Sequence, residues 1–406
     1  MVTKLATEPT VICVTGLSAS DSPAPGVAVL RSLAESSMRL RCIGISYGVL
    51  DAGNYMSALV SACYLAPYPN TGPHALLERI TEIHKTEHID VILPTLDSEL
   101  DNYIAIEPQL RYLGIKLLLP QKASLALRDK PTLAEKIPAE IVQTPETVRI
   151  SDVSGLRDSF DKLAFPLLVK GQYYEAYAAY SPEEAVGWFY KLASQWGIPV
   201  ITQKMIRGEE CNVAGLAKRG KLYGAVAMKK LFLTDKGKAW SGVTIRNEKI
   251  LDITRKMVQF LNWDGGFELE FIVETKTDDV YLVEMNPRFP AWVYLATAAG
   301  INLPAMHVAL ALGKNIEPKS DYSVGTVFIR HSRDEIVPME QIESLSTGAK
   351  IIHGRTSPPP SACAAAQAPL SIHMERGREI AEAKLSQSIF VPPLHNVERG
   401  LGGEVA

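Results

Sequence analysis

Glu268, Glu270, Glu284 and Asn286 are the side chains whose types and spacing point most directly to chemistry. They lie in FELEFIVETKTDDVYLVEMNPR, residues 267–288, where two alternating runs, Phe267–Glu274 and Val280–Asn286, flank a five-residue hairpin loop, Thr275–Asp279. Across a symmetric loop Glu270 faces Glu284 and Glu268 faces Asn286. Alternation then gathers these four on one face, with Leu269, Phe271, Val273, Tyr281, Val283 and Met285 on the other. Opposed residues have Cβ atoms about 5 Å apart, and two unit charges at that distance repel by roughly 3 kcal/mol at an effective dielectric of about 20. Something cationic should offset them. Mg²⁺ is usually held by one or two carboxylates together with substrate phosphates, so the hairpin predicts a Mg²⁺–nucleotide site. A solvated acidic sheet face is the alternative, and a one-residue slip would send one strand's acids to the other side.

Such a hairpin needs a scaffold, and 406 residues at about 150 per domain allow two to three packed units. The first 118 residues alternate strand and helix. Val11–Thr15, Arg41–Ser46, Val91–Pro94 and Ile115–Leu119 read as buried strands; a helix is expected from near Pro25, and another over Ala75–Lys85. The pattern is that of a parallel, Rossmann-like α/β unit. No G-x-G-x-x-G follows its first strand, so dinucleotide binding there is not expected. The loop Gly16–Gly26 is either a surface turn or a ligand contact at the carboxyl edge of the sheet, and Asp97, Glu99 and Asp101 at the same edge are open to the same two readings.

From about residue 120 to 320 the chain reads as α+β and largely antiparallel, with strands at Pro166–Lys170, Pro199–Met205, Asn212–Ala217 and Leu222–Met228. Val293–Leu312 is interrupted by Gly300, Asn302, Pro304 and His307 and reads as two packed helices, not a membrane span. After about 320 the signal weakens, and TSPPPSACAAAQAP at 356–369 reads as a loop or linker.

Glu284-Met-Asn-Pro-Arg288, preceded by Glu270-Phe271, resembles the metal-binding hairpin of the ATP-grasp superfamily, the carboxylate–amine and carboxylate–thiol ligases with their biotin carboxylase and carbamoyl phosphate synthetase relatives. Other parts of the family's pattern occur in the correct order. Arg128-Asp-Lys130 falls where the family has its first nucleotide lysine, Phe165-Pro-Leu-Leu-Val-Lys170 resembles the strand carrying the second, and Gln203-Lys-Met-Ile206 followed by Gly208-Glu-Glu210 resembles the hinge that holds adenine and ribose. The resemblance implies a Rossmann-like domain over 1–118, an ATP-grasp fold over 119–320 made of two α+β subdomains (a lid at about 119–205 and a metal and catalytic part at about 206–320), and a small C-terminal segment over 321–406.

It also implies ATP and Mg²⁺ as cofactors, with Mn²⁺ as a substitute. Lys130 and Lys170 would donate to the phosphates as point charges. Gln203 would offer its amide to the adenine N6 edge, where the family more often has Glu, while backbone groups of Lys204 and Ile206 pair with the ring and Met205 packs on it. Glu210, rather than its neighbour Glu209, would accept from the ribose hydroxyls. Glu270, Glu284 and Asn286 would ligate Mg²⁺, and Arg288 would stabilise the γ-phosphoryl group in transfer. Lys229, assigned here to catalysis, and Lys230 either reach the phosphates or acyl group or are solvated. The family's glycine-rich lid loop is replaced by GQYYEAYAAY at 171–180, so either a divergent lid brings Tyr173, Tyr174 or Tyr177 to substrate or the lid is not catalytic.

The implied reaction is ATP-dependent activation of a carboxylate as an acyl phosphate, attacked by an amine to give an amide or peptide bond. The alternatives are biotin carboxylase-like carboxylation and a non-catalytic nucleotide-binding module. Phe289, Trp292 and Tyr294 either shape the acceptor pocket or pack in the core. A net charge of −3 gives no reason to expect nucleic acid. Five separated cysteines (Cys13, Cys42, Cys63, Cys211, Cys363) suggest neither zinc knuckle nor disulfide framework and fit a reducing, cytoplasmic compartment. His84 and His88 lack the Glu that a zinc peptidase motif requires. Small-molecule partners, an amino acid or short peptide among them, are expected, and a homodimer is allowed.

Overall fold

The β-branched run TVICVT forms an interior strand of the first sheet because both of its faces can be buried. The computed structural model describes residues 8–20, 23–126, 130–171, 175–234 and 237–353. Its first unit comprises β1 (Thr10–Thr15), α1 (Gly26–Ala34), β2 (Leu40–Ser46), β3 (Ala62–Leu65), α2 (Pro73–Glu87), β4 (Val91–Leu93) and α3 (Leu100–Tyr112). The four strands are parallel in the order β3-β2-β1-β4. Ile12 and Val14 pack on Val29, Leu30 and Leu33 of α1, whereas Val11 and Cys13 face Ile80 and Ile83 of α2 and Tyr103 and Ile106 of α3. The loop after β1 folds back so tightly that Gly26 N–H donates to Gly16 O at 3.0 Å, and a Cβ at Gly26 would lie 2.2 Å from Thr15 O. Only glycine fits there.

One strand expectation fails in this unit and one strand was not expected. Ile115–Leu119 makes only an isolated bridge, Lys116 with Val91, and the fourth parallel strand is Ala62–Leu65. Ile115, Leu117 and Leu118 are buried without a ladder; their apolar run reflects packing, which periodicity alone does not separate from pairing.

After α4 (Lys122–Ala126) and α5 (Lys130–Lys136) comes a small antiparallel sheet: β5 (Thr147–Ile150), β6 (Leu167–Lys170), β7 (Ala176–Ala179) and β8 (Val200–Lys204), in the order β5-β8-β6-β7. Its apolar face is covered by α6 (Val153–Phe160) and α7 (Pro182–Trp196). The start of α7 is set by Ser181, whose Oγ accepts from Glu184 N–H at 3.3 Å, with Pro182 in the first turn.

The third layer is a six-stranded antiparallel sheet, built from β9 (Gly208–Lys218), β10 (Lys221–Leu233), β11 (Ala239–Ile245), β12 (Gly265–Glu274), β13 (Val280–Asn286) and β14 (Val327–Ile329), in the order β13-β12-β9-β10-β11-β14. α8 (Glu248–Phe260) covers one face, and α9 (Tyr294–Ala298) and α10 (Leu303–Ala311) follow the hairpin. Phe267 lies opposite Gly215, and a Cβ on Gly215 would sit 2.2 Å from its ring, so the glycine makes room for the buried aromatic. Among the described residues no helix is long and apolar enough to cross a membrane.

The hairpin register pairs Glu268 with Asn286 and Glu270 with Glu284, as its sequence predicts. Beyond Glu270 it shifts by one residue, so that Phe271 faces Leu282 and Val273 faces Val280. The bulge corrects the expected core face of β13: Val280, Leu282 and Met285 are buried, and Tyr281 and Val283 are half-buried. Part of the expected C-terminal segment is also reassigned, since Val327–Ile329 joins the six-stranded sheet and Lys350–Ile352 pairs with β3. The linker at 356–369 lies outside the described residues.

His307 of α10 sits edge-on to Phe289, 5.7 Å between ring centres, with neither ring nitrogen bonded among the described residues. Burial pushes its pKa down to about 4. Because the folded value lies below the unfolded one of about 6.5, the folded state binds fewer protons in that window, and stability is lost as pH falls through it, by up to roughly 3 kcal/mol. Urea midpoints at pH 7.5 and pH 5 should therefore converge in His307→Leu relative to the wild type; an unchanged pH difference would contradict this.

Candidate active site

The acidic face of the hairpin borders a cavity of about 140 Å³. β12 contributes Glu268 and Glu270, β13 Asn286, β9 Asn212 and β10 Lys230; Arg288 and Trp292 come from the segment after β13. Glu268 is almost fully buried and accepts four hydrogen bonds. Its Oε1 takes Asn212 Nδ2 at 2.8 Å and Trp292 Nε1 at 2.7 Å; its Oε2 takes Asn286 Nδ2 at 3.0 Å and Arg288 Nη1 at 3.4 Å. Burial, reinforced by the charge of Glu270, raises its pKa above the usual carboxylate value, while Arg288 and the hydrogen bonds oppose the rise.

Lys230 and Arg288 balance these acids. Lys230 Nζ donates to Glu210 Oε2 at 2.8 Å and to Glu270 Oε2 at 3.2 Å. Burial alone would lower the lysine's pKa, but Glu270 and Glu210 outweigh it and hold the value above normal. Arg288 Nε reaches Asp97 Oδ2 at 3.0 Å, joining the hairpin to the carboxyl edge of the first sheet. Burial disfavours its charged form, and Asp97 and Glu268 more than compensate.

Several sequence expectations are relocated by the structure. Lys229 pairs with Glu209 at the surface, and strand alternation turns Lys230, not Lys229, into the cavity. Glu284 stands opposite Glu270 but is not among the cavity-lining residues, whereas Glu268 is. Lys170 and Gln203 are buried together, with Nζ donating to Oε1 at 2.6 Å and Gln203 Nε2 donating to Thr147 Oγ1 at 2.9 Å. Lys204 has an exposed side chain and its N–H donates to Glu146 O at 2.8 Å; Met205 is half-buried and Ile206 buried. Lys130 begins α5, but its side chain lies outside the described residues, as do Arg128, Tyr173 and Tyr174. Tyr177 stacks on Trp188 at 4.3 Å and accepts from Lys191 at 3.0 Å, which commits it to the α7 face.

Around the first sheet, Pro23 and Pro25 reach the cavity, so the loop after β1 is part of the site. Asp97 reaches Arg288 and Asp101 is exposed. Glu99 instead turns inward, accepting from Thr15 and from Tyr47 OH at 2.5 Å. Of the three aromatics after Arg288, only Trp292 lines the cavity. Phe289 is core, and Tyr294 packs under Arg31, 4.0 Å from guanidinium to ring centre.

Sequence reasoning missed Asn212 and Arg330. Arg330 follows β14 where no motif marks it, lines the cavity and has no carboxylate partner among the described residues; burial pulls its pKa below the arginine norm. Asn212 lies inside an apolar strand, opposite Glu270, and its Oδ1 is buried without a hydrogen-bond partner among the described residues. An orphaned amide oxygen beside carboxylates suits a hard cation, so the donor set fits Mg²⁺ chemistry. No group of three or more His, Cys, Asp or Glu side chains arranged for a metal occurs among the described residues, so carboxylates and amides would have to share the task.

The family described as ATP-grasp in the biosynthetic pathway with Ter operon matches residues 198–328, the stretch that carries Gln203–Glu210, the hairpin and the start of β14. Solved structures share the fold at low sequence identity. Biotin carboxylase from Campylobacter jejuni superposes with a TM-score of 0.59 at 14% identity, over 76% of this chain and 72% of that one. Residues 198–328 thus match an ATP-grasp family, and the chain as a whole shares its fold with these solved structures. N5-carboxyaminoimidazole synthetase from Staphylococcus aureus gives 0.58 at 13% identity, over 77% and 79% of the two chains. The L-amino acid ligase from Bacillus licheniformis gives 0.56 at 14% identity, over 76% and 75%. In sequence, this chain is 23% identical over 231 residues to the arginine-specific large chain of carbamoyl phosphate synthase from Lactiplantibacillus plantarum, covering 52% of this chain and 22% of that protein. It thus spans under a quarter of that relative's length.

Glu268→Gln should cost about 1–3 kcal/mol of unfolding free energy, because an amide cannot accept from all four donors and turns its NH₂ toward Asn286 or Arg288. Urea denaturation at pH 7 measures it, and an unchanged midpoint would contradict the hydrogen-bond assignment.

Proposed function

We infer that this protein is an ATP-grasp enzyme, an ADP-forming carboxylate–amine ligase. The observation that carries the reading is the carboxylate face of the hairpin, balanced by Lys230 and Arg288 at the edge of a cavity. A carboxylate oxygen of the acid attacks the γ-phosphorus, the bond to the β-phosphate oxygen breaks and ADP leaves. An amine nitrogen then attacks the acyl carbon, inorganic phosphate leaves, and the nitrogen gives up a proton. Amide or peptide bond formation is the outcome. The L-amino acid ligase among the solved relatives supports this reading, and biotin carboxylases among them support the same nucleotide half.

In this reading Gln203, Lys204, Met205 and Ile206 hold the base, Glu210 the ribose, and Lys130 and Lys170 the phosphates. Glu270, Glu284 and Asn286 hold Mg²⁺, with Asn212 Oδ1 beside them. When bound, Mg²⁺ supplies neutralisation of charge on the β- and γ-phosphates. Lys230, in place of Lys229, and Arg288 are the cavity cations bonded to the hairpin carboxylates and are proposed to meet the transferred group, with Asp97 orienting Arg288. Such a fixed charge clamp suits phosphoryl transfer, which depends on positioning and electrostatics. The proposed boundaries are a first domain over 1–118, joined by Lys350–Ile352, an ATP-grasp domain over 119–320, joined by Val327–Ile329, and the remainder of 321–406 as a further segment, acting in the cytoplasm on small molecules.

Mg·ATP with pooled amino acids should give ADP release that requires both an acid and an amine. Release driven by bicarbonate would indicate a carboxylase, and binding without turnover a non-catalytic module. Glu284→Ala should lower turnover by about 10²-fold or more, and wild-type activity in that variant would remove the metal assignment. Lys230→Met should lose at least about tenfold in kcat, with Lys229→Met close to wild type; the reverse order would restore the assignment to Lys229.

A further inference from the structure

Glu99 is fully buried, and the chemistry proposed above makes no use of it. Its carboxylate accepts four hydrogen bonds, none from a charged group. Oε1 takes Thr95 N–H at 2.8 Å, Leu96 N–H at 2.9 Å and the hydroxyl of Thr15, and Oε2 takes Tyr47 OH at 2.5 Å. Burial pushes its pKa up, and these donors oppose the rise. A carboxylate at this depth is tolerated only where its donors are fixed. They belong to three parts of the sheet's carboxyl edge: Thr15 ends β1, Tyr47 follows β2, and Thr95 and Leu96 link β4 to the turn Asp97–Glu99. Thr95 is tied to β1 twice more, its N–H donating to Thr15 Oγ1 and its Oγ1 to Thr15 O, both at 2.8 Å. The fit is close, since a Cβ on Gly16 would lie 2.3 Å from Thr95 Oγ1.

We propose that Glu99 is a positioning residue for Arg288: by fastening the Thr95–Leu96 link to the end of β1 it sets where Asp97 stands, and through Asp97 the direction of the guanidinium. Asp97 follows Leu96 directly and accepts from Arg288 Nε at 3.0 Å, while Arg288 Nη1 donates to Glu268 Oε2 at 3.4 Å. The guanidinium is thus held between two carboxylates on different sheets, and their separation fixes its aim. A displacement of Asp97 by about 1 Å would take the Nε bond out of hydrogen-bonding range. A misplacement of about that size at a reacting centre costs on the order of 10²-fold in rate. The consequence for phosphoryl transfer rests on the ligase reading; the placement of Arg288 does not.

Two readouts on the full chain test it. The first is the NMR signal of the Arg288 Nε–H group, assigned by its loss in Arg288→Lys, which reports the bond to Asp97 whatever the protein catalyses. Exchange of this proton with water should be at least about tenfold faster in Asp97→Ala and in Glu99→Ala. It should stay close to wild type in Glu99→Gln, whose amide oxygen still accepts from Thr95 and Leu96. Unchanged exchange in Glu99→Ala would overturn the proposal. If Glu99→Ala does not fold, Thr15→Val, which lacks only the hydroxyl shared by Glu99 and Thr95, should speed exchange by at least about threefold, and no change there would equally overturn it. The second readout is kcat for ADP release. Glu99→Ala should lower it at least about tenfold in the wild type but less than about twofold in an Asp97→Ala background, where nothing is left to place. Equal losses in both backgrounds would show a merely structural role and overturn the proposal. If no acid and amine give ADP release, the ligase reading falls, and the exchange rates still decide whether Glu99 positions Arg288.

Discussion

The site depends on holding two carboxylates, Glu268 and Glu270, on one face of a β-ribbon next to two cations that cannot move far. Two residues apart on one strand, such neighbours lie about 7 Å from one another and repel by roughly 2 kcal/mol at an effective dielectric of about 20. Lys230 and Arg288 remove that penalty, and Asn212, Asn286 and Trp292 saturate the buried acid. The same two cations are of the kind that grip phosphate. A divalent ion that took over the carboxylates would leave them free to do so, which makes the charge balance of the protein and the binding of its nucleotide one problem.

The rest of the fold keeps this balance in place. Gly215 yields to Phe267, so β9 and β12 lie close enough for Asn212 to reach Glu268. The bulge beyond Glu270 changes which residues of β13 face the core while leaving the Glu270–Glu284 and Glu268–Asn286 pairs in register. The first sheet adds Asp97 to orient Arg288, and its β1 loop, drawn back at Gly16 and Gly26, walls the cavity. Three separate parts of the chain therefore meet at a few charged atoms.

Much of this could be read from the sequence, for identifiable reasons. The hairpin pairing was legible because strict alternation and a short loop leave few registers. The parallel sheet followed from alternating strand and helix signals, although Ile115–Leu119 shows that a buried apolar run need not pair. The bulge was not legible, since one extra residue leaves the local pattern almost unchanged. Lys229 and Lys230 are adjacent and chemically equal, and only the observed alternation of β10 separates them. Asn212 and Arg330 carry no motif; what marks them, among the described residues, is an orphaned buried oxygen and a guanidinium without an acidic partner, both properties of the folded chain.

The most direct test of the central claim is calorimetric titration of ATP into the protein with Mg²⁺ present and with EDTA in its place. If the hairpin carboxylates hold Lys230 and Arg288 until a divalent ion takes over, ATP should bind at least about tenfold more weakly without Mg²⁺. Equal affinity in the two conditions would contradict the account.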